Sequence, residues 1–155
     1  GTMKAELYPK LAPKTVENFL KLIEEKFFDG LIFHRVIKGF MIQGGGYNAQ
    51  FDHKEAPSIK GEFAANGWVQ NDLKHTRGVL SMARTSDPDS ASSQFFVMHQ
   101  DAPHLDAQYA GFGKLTDGFD VLDAIASTPT GNYGWYMQDV PTTPIVIESV
   151  EIISE

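Results

Sequence analysis

The feature that most limits the folds open to this chain is a series of short β-rich runs, each bounded by glycine or turn residues. They cover residues 31–37, 40–43, 78–84, 93–99, 109–115 and 145–153. Only two helical faces interrupt them. Behind Pro13, the apolar residues Val16, Phe19, Leu20 and Ile23 recur at i, i+3, i+4 and i+7, which predicts a helix over about 13–26. Pro13 suits the first helical turn, where its missing N–H would be unpaired anyway. The second face follows Asp117-Gly118, with Phe119, Leu122 and Ile125 at threefold spacing beside Val121, before residues 128–131 end it. Many strands, two helices and no β-α-β alternation imply an antiparallel barrel or sandwich. Closing the sheet removes its exposed edges, and two amphipathic helices are the right number to plug the ends of a barrel.

The length of 155 residues fits one domain, 1–155, and a chain of this size buries about two-thirds of its unfolded surface. It begins Gly1-Thr2-Met3-Lys4 in what reads as the middle of a strand, so a short upstream N-terminal segment is expected to be missing. Thirteen Lys and Arg against twenty Asp and Glu give a net charge of −7, with no clustered basic stripe. That balance argues against nucleic acid, whose binding depends on basic side chains displacing counterions. No run approaches the ~18 apolar residues of a membrane span. Cysteine is absent, which removes disulfides, thiol nucleophiles, thiolate zinc sites and iron–sulfur clusters. A cytoplasmic monomer is the expectation.

Three stretches, 47–68, 84–93 and 132–144, have little periodicity and read as long loops, either functional or merely crossing the surface. Gln43-Gly44-Gly45-Gly46 follows a strand, opens no helix and lacks the Lys-Ser/Thr of a phosphate cradle. Backbone bending, or the close approach of another chain, accounts better for these glycines. The five histidines show no HExxH or His-x-His spacing, so no metal is expected. The serines of 86–93 lack the Gly-x-Ser-x-Gly elbow of hydrolases, and Asp87 with Asp89 lacks the rest of a calcium loop.

Against this background of missing nucleophile, metal and cofactor motifs, the segment Phe33-His34-Arg35-Val36-Ile37-Lys38-Gly39-Phe40-Met41-Ile42-Gln43-Gly44-Gly45 resembles the signature of cyclophilins, the cyclosporin-binding peptidyl-prolyl cis–trans isomerases. Gly78-Val79-Leu80-Ser81-Met82-Ala83-Arg84, Ser92-Ser93-Gln94-Phe95-Phe96 and Leu105-Asp106 leading to Phe112-Gly113-Lys114 follow in the family's order. Pro13-Lys14-Thr15-Val16-Glu17-Asn18-Phe19 is similar to its first helix. The resemblance spans about residues 3–153 and is to a bacterial-type member.

The resemblance implies a mainly β fold, a closed eight-stranded antiparallel barrel capped by two α-helices. It also implies an isomerase without cofactor or metal, acting on Xaa-Pro bonds of peptides and of unfolded or folded client proteins and so assisting folding. The catalytic role carries over to Arg35. The proline pocket carries over to Phe40, Met41, Phe96 and Leu105, with Gln43 and Gln94 as polar contacts and the backbone around Ala83 and Arg84 for the substrate chain. Taken singly, Phe40, Met41 and Phe96 read as ordinary core residues, and only the joint pattern makes them a pocket. Two positions depart from many relatives: His104 stands where they have tryptophan, and Tyr109 where they have histidine. The first change removes an indole N–H, so weakened cyclosporin binding is expected. Tyr109 keeps an aromatic wall with a polar tip. The alternative reading is a proline-peptide binding module or chaperone with little catalysis.

Overall fold

The computed structural model describes residues 1–153. Helix α1 (Pro13–Glu24) buries Val16, Phe19, Leu22 and Ile23, while Leu20 lies at the margin of this face. Ala12, at its N-terminus, offers no side-chain cap. The role is filled from a distance: Glu62 Oε1 accepts the Thr15 backbone N–H at 2.6 Å and the Thr15 hydroxyl at 2.7 Å. A buried carboxylate thus meets the positive end of the helix dipole. Helix α2 (Phe119–Ala126) starts behind Gly118, whose φ of 90° is in the left-handed region, and buries Leu122 and Ala126 in the same core.

Among the described residues eight strands accompany the two α-helices, as expected. Six form one antiparallel ladder in the order β1 (Lys4–Leu7), β6 (Gly111–Asp117), β4 (Val79–Met82), β5 (Phe95–Met98), β3 (Met41–Gly44) and β2 (Arg35–Ile37). The other two, β7 (Thr130–Tyr133) and β8 (Met137–Pro141), pair with each other, and β8 lies beside β2. This hairpin corrects the reading of 132–144 as a loop. Every residue of β7 is exposed, so the alternation that marks a half-buried strand was absent from the sequence.

Two expected runs are shorter than predicted. Residues 31–34 enter no strand; Leu31 and Ile32 make isolated bridges to Asn48 and Val146. Residues 145–153 form no strand either. Their pairing is confined to Gly30 N–H donating to Ile147 O (2.8 Å), Ile147 N–H to Leu31 O (2.7 Å) and Phe33 N–H to Ile145 O (3.1 Å). Pro144 has no N–H to give the ladder, and past Ile147 the polar pair Glu148-Ser149 breaks the apolar alternation.

At the centre, Phe19 of α1 meets Phe28, Phe95 and Phe112 at centroid distances of 5.0, 5.4 and 5.0 Å. Tilted and edge-on rings at such distances add to the stabilisation from their buried area. Among the described residues no helix is long and apolar enough to cross a membrane.

Candidate active site

Strands β3, β4 and β5 are buried on both faces. Ile42, Leu80, Met82, Phe95 and Val97 enter the main core. Because strand side chains alternate in direction, their neighbours Met41, Val79, Phe96 and Met98 face the other way, into a second apolar cluster with Ala102 and Leu105. That second cluster opens into a cavity of about 140 Å³.

Most of the residues singled out from the sequence meet there. Phe40, Met41, Phe96, Leu105 and Tyr109 give the cavity its apolar and aromatic walls, and Arg35, Gln43, Ala83 and Arg84 complete the lining. Gln94 stands one step behind: Arg35 Nη1 donates to Gln43 Oε1 (3.3 Å), and Gln43 Nε2 donates to Gln94 Oε1 (3.0 Å). Arg35 and Gln43 are register partners of β2 and β3, so the ladder itself fixes the first of these contacts. Gly46 makes room for the second: a Cβ there would lie 2.5 Å from Gln94 Nε2. This glycine therefore serves close approach, though of a side chain of the same molecule and not of another chain. His104 does not line the cavity. Its ring packs on Phe40 from outside, with centroids 5.8 Å apart and planes tilted by 31°.

The walls at Phe40 and Phe96 are held by polar devices. Phe40 follows Gly39, whose backbone N–H donates to His99 Nδ1 (2.8 Å), while the His99 backbone N–H donates to Phe40 O (2.8 Å). With Nδ1 accepting, the His99 proton is on Nε2, which donates to Asp123 of α2 (3.1 Å). Arg77 grips the same carboxylate through both Nη atoms, at 2.7 and 2.9 Å, and those bonds hold the Asp123 carboxyl below the usual range. Phe96 lies parallel to His75 (6.1 Å, 21°) and edge-on to Tyr109 (5.8 Å, 84°). His75 in turn contacts Ser81 Oγ through Nε2 (2.8 Å) and Asp106 Oδ1 through Nδ1 (3.2 Å). This trio resembles a hydrolase triad in composition, but Ser81 is wholly buried and cannot reach a substrate. Burial also pushes the His75 pKa down, which keeps the ring neutral. Its work is to brace the pocket floor and the turn that carries Leu105. Arg84 is likewise engaged internally. Its guanidinium sits 4.8 Å from Phe63 and 4.6 Å from Tyr109, donating to Thr85 O (2.9 Å) and Gln108 O (2.7 Å).

A second, larger cavity of about 370 Å³, unforeseen from the sequence, shares Arg35 with the first. His34 and Tyr47 line it from one part of the chain, and Tyr136, Met137, Gln138 and Asp139 from another. His34 is 7% exposed and packs on Tyr47 at 4.8 Å; burial first, then the nearby charges of Arg35 and His53, lower its pKa to about 4. Among the described residues no group of three or more acidic or histidine side chains is placed to hold a metal ion.

Known proteins place this geometry. Residues 1–152 match the family described as cyclophilin type peptidyl-prolyl cis-trans isomerase/CLD. A peptidyl-prolyl cis-trans isomerase of Acinetobacter baylyi is 48% identical over 160 aligned positions, covering 99% of this chain and 81% of that protein. Peptidyl-prolyl cis-trans isomerase B of Escherichia coli is 41% identical, covering 98% of this chain and 94% of its own. A Cryptosporidium parvum cyclophilin type isomerase, solved in the presence of the dipeptide Ala-Pro, superposes with a TM-score of 0.81 at 33% identity, over all of this chain and 94% of that one. Likeness that runs from end to end in both sequence and backbone leaves one assignment: the chain belongs to the cyclophilin-type peptidyl-prolyl cis–trans isomerases, and its sheet and helices are that family's β-barrel fold.

Proposed function

We propose that the protein isomerises Xaa-Pro bonds by gripping the proline ring in the 140 Å³ cavity while Arg35 stabilises the twisted amide. Resonance gives the C–N bond partial double-bond character and a rotational barrier of about 18–20 kcal/mol. No bond need break. As the amide twists, conjugation is lost, the proline nitrogen becomes pyramidal and its lone pair localises. A donor aimed at that nitrogen binds the transition state better than the planar ground state. The Arg35 guanidinium is permanently charged and carries five N–H donors in one plane, enough to hold a substrate carbonyl and orient toward the nitrogen together. Lysine has no such fork.

Phe40, Met41, Phe96 and Leu105 would immobilise the ring and exclude the water that favours the planar, polar amide. Lowering the barrier by about 7 kcal/mol gives roughly 10⁵-fold acceleration, within reach of one preorganised charged donor together with orientation and desolvation. The observation that carries this reading is the setting of Arg35, an exposed guanidinium on the wall of an apolar cavity, held by a single 3.3 Å hydrogen bond from Nη1 to Gln43. The Ala-Pro dipeptide present with the Cryptosporidium relative supports proline-containing peptides as ligands. By extension the clients are unfolded or folded proteins bearing exposed prolines, bound by a monomer.

The test is NMR exchange between cis and trans signals of an Ala-Pro peptide with catalytic amounts of protein. The native chain accelerates exchange, and Arg35→Ala lowers that acceleration by about 10²–10³-fold while its unfolding midpoint stays in place. Full turnover by Arg35→Ala would overturn the mechanism.

A further inference from the structure

Resting on the reading of the smaller cavity as the proline pocket, we infer that the 370 Å³ cavity beside it is a second subsite for the same peptide, built to take a lysine or arginine side chain near the proline, with Asp139 as its charge partner. Arg35 lines both cavities, so they adjoin along one side chain. An extended peptide advances about 3.3 Å per residue, and a residue within three of the proline therefore reaches the second cavity.

The walls state the chemistry. Tyr47, Tyr136 and the neutral ring of His34 offer aromatic faces, and Met137 a pliable thioether. Such surfaces accept the methylene stem of a long side chain and attract a cation over the ring. Asp139 is half-buried, and among the described residues no cationic side chain forms an ion pair with it. Arg35, the cation of the cavity, is engaged with Gln43 and, in the mechanism above, with the substrate backbone. A carboxylate on the peptide would meet Asp139 as a like charge; an ammonium or guanidinium would complete it. The protein's net charge of −7 favours the same partner at long range.

Asp139 has φ of 60°, the left-handed region that aspartate and asparagine tolerate best among residues with a side chain. Asp139→Asn therefore removes the charge and keeps the backbone. The experiment uses Ala-Pro peptides carrying one Lys, Gln or Glu at each position within three residues of the proline. Affinity is taken from chemical-shift titration and turnover from exchange, for the native chain and for Asp139→Asn. At one position Lys should bind more tightly than Glu, by roughly three- to tenfold at low salt. In Asp139→Asn that ratio should fall to near one. A Lys/Glu ratio equal in the two proteins, or flat at every position, would overturn the subsite. Failure of the mechanism looks different: exchange is not accelerated with any peptide, and the affinity ratios still decide the subsite.

Discussion

Phe95 and Phe96 are adjacent in β5 and almost equally hidden, at 6% and 5% exposure, yet they serve different regions of the molecule. Phe95 lies edge-on to Phe19 and Phe28 inside the main core. Phe96 turns outward to Tyr109, His75 and the 140 Å³ cavity. Burial alone does not distinguish scaffold from site here. The partners do: the inner face of the sheet meets helices α1 and α2, and the outer face meets a smaller apolar cluster left open at one end. A strand buried on both sides lets one ladder fix the core and the pocket in a common register, so Arg35, Gln43 and Phe96 inherit the precision of backbone pairing.

Truncation on each face should separate the two most sharply. Phe112→Ala removes a ring from the closed inner core and is expected to cost about 3–5 kcal/mol of stability. Phe96→Ala borders space that is already empty, so its stability cost should be smaller while its peptide affinity collapses. Urea unfolding paired with peptide titration checks both. Equal stability losses with unchanged affinity for Phe96→Ala would erase the distinction.

Acid sharpens it further, because His34, in the wall of the 370 Å³ cavity, is held neutral by burial. Its folded pKa of about 4 is below the unfolded value of 6.5, so the folded state binds its proton less readily. The stabilisation from the neutral ring is complete above pH 6.5 and is lost as pH falls toward 4. It is worth on the order of 3 kcal/mol. Unfolding measured across that window should show a steep decline for the native chain and a shallower one for His34→Gln. Parallel curves would mean that another group carries the acid sensitivity.

The smallest change concerns only the rim. His104 packs on Phe40 without entering the cavity, and His104→Trp restores an indole N–H at that place. Cyclosporin affinity, measured by competition with peptide, should rise by about tenfold, the worth of one net hydrogen bond. Unfolding should not change. Unaltered affinity would show that position 104 does not limit the drug.

Much of the inner face, and most of the lining of the smaller cavity, was legible in the sequence. Helix α1 announced itself through apolar spacing, and the runs around Arg35, Ser81 and Phe96 through motifs in a fixed order. The second cavity was not legible, for a physical reason. Tyr136 and Asp139 are about a hundred residues from Arg35 and reach it only because β8 lies beside β2, on a hairpin whose exposed residues leave no apolar period. The end of the chain failed in the opposite direction. Residues 145–153 look like a strand by composition, but Pro144 and the break after Ile147 limit them to a few hydrogen bonds. The polar braces His99–Asp123–Arg77 and Ser81–His75–Asp106 were also missed, since each joins elements distant along the chain.

The β7–β8 hairpin has a consequence for how such a protein diversifies. Doubly buried strands tolerate little drift, since a change on either face disturbs one of the two buried clusters. The hairpin carries its aromatic residues in the open, with Trp135 at 94% exposure and Tyr136 at 61%, and its tip supports no core. Substitutions there should cost little stability. On the subsite inferred above, rewriting this hairpin would change which peptides bind while the doubly buried strands stay as they are.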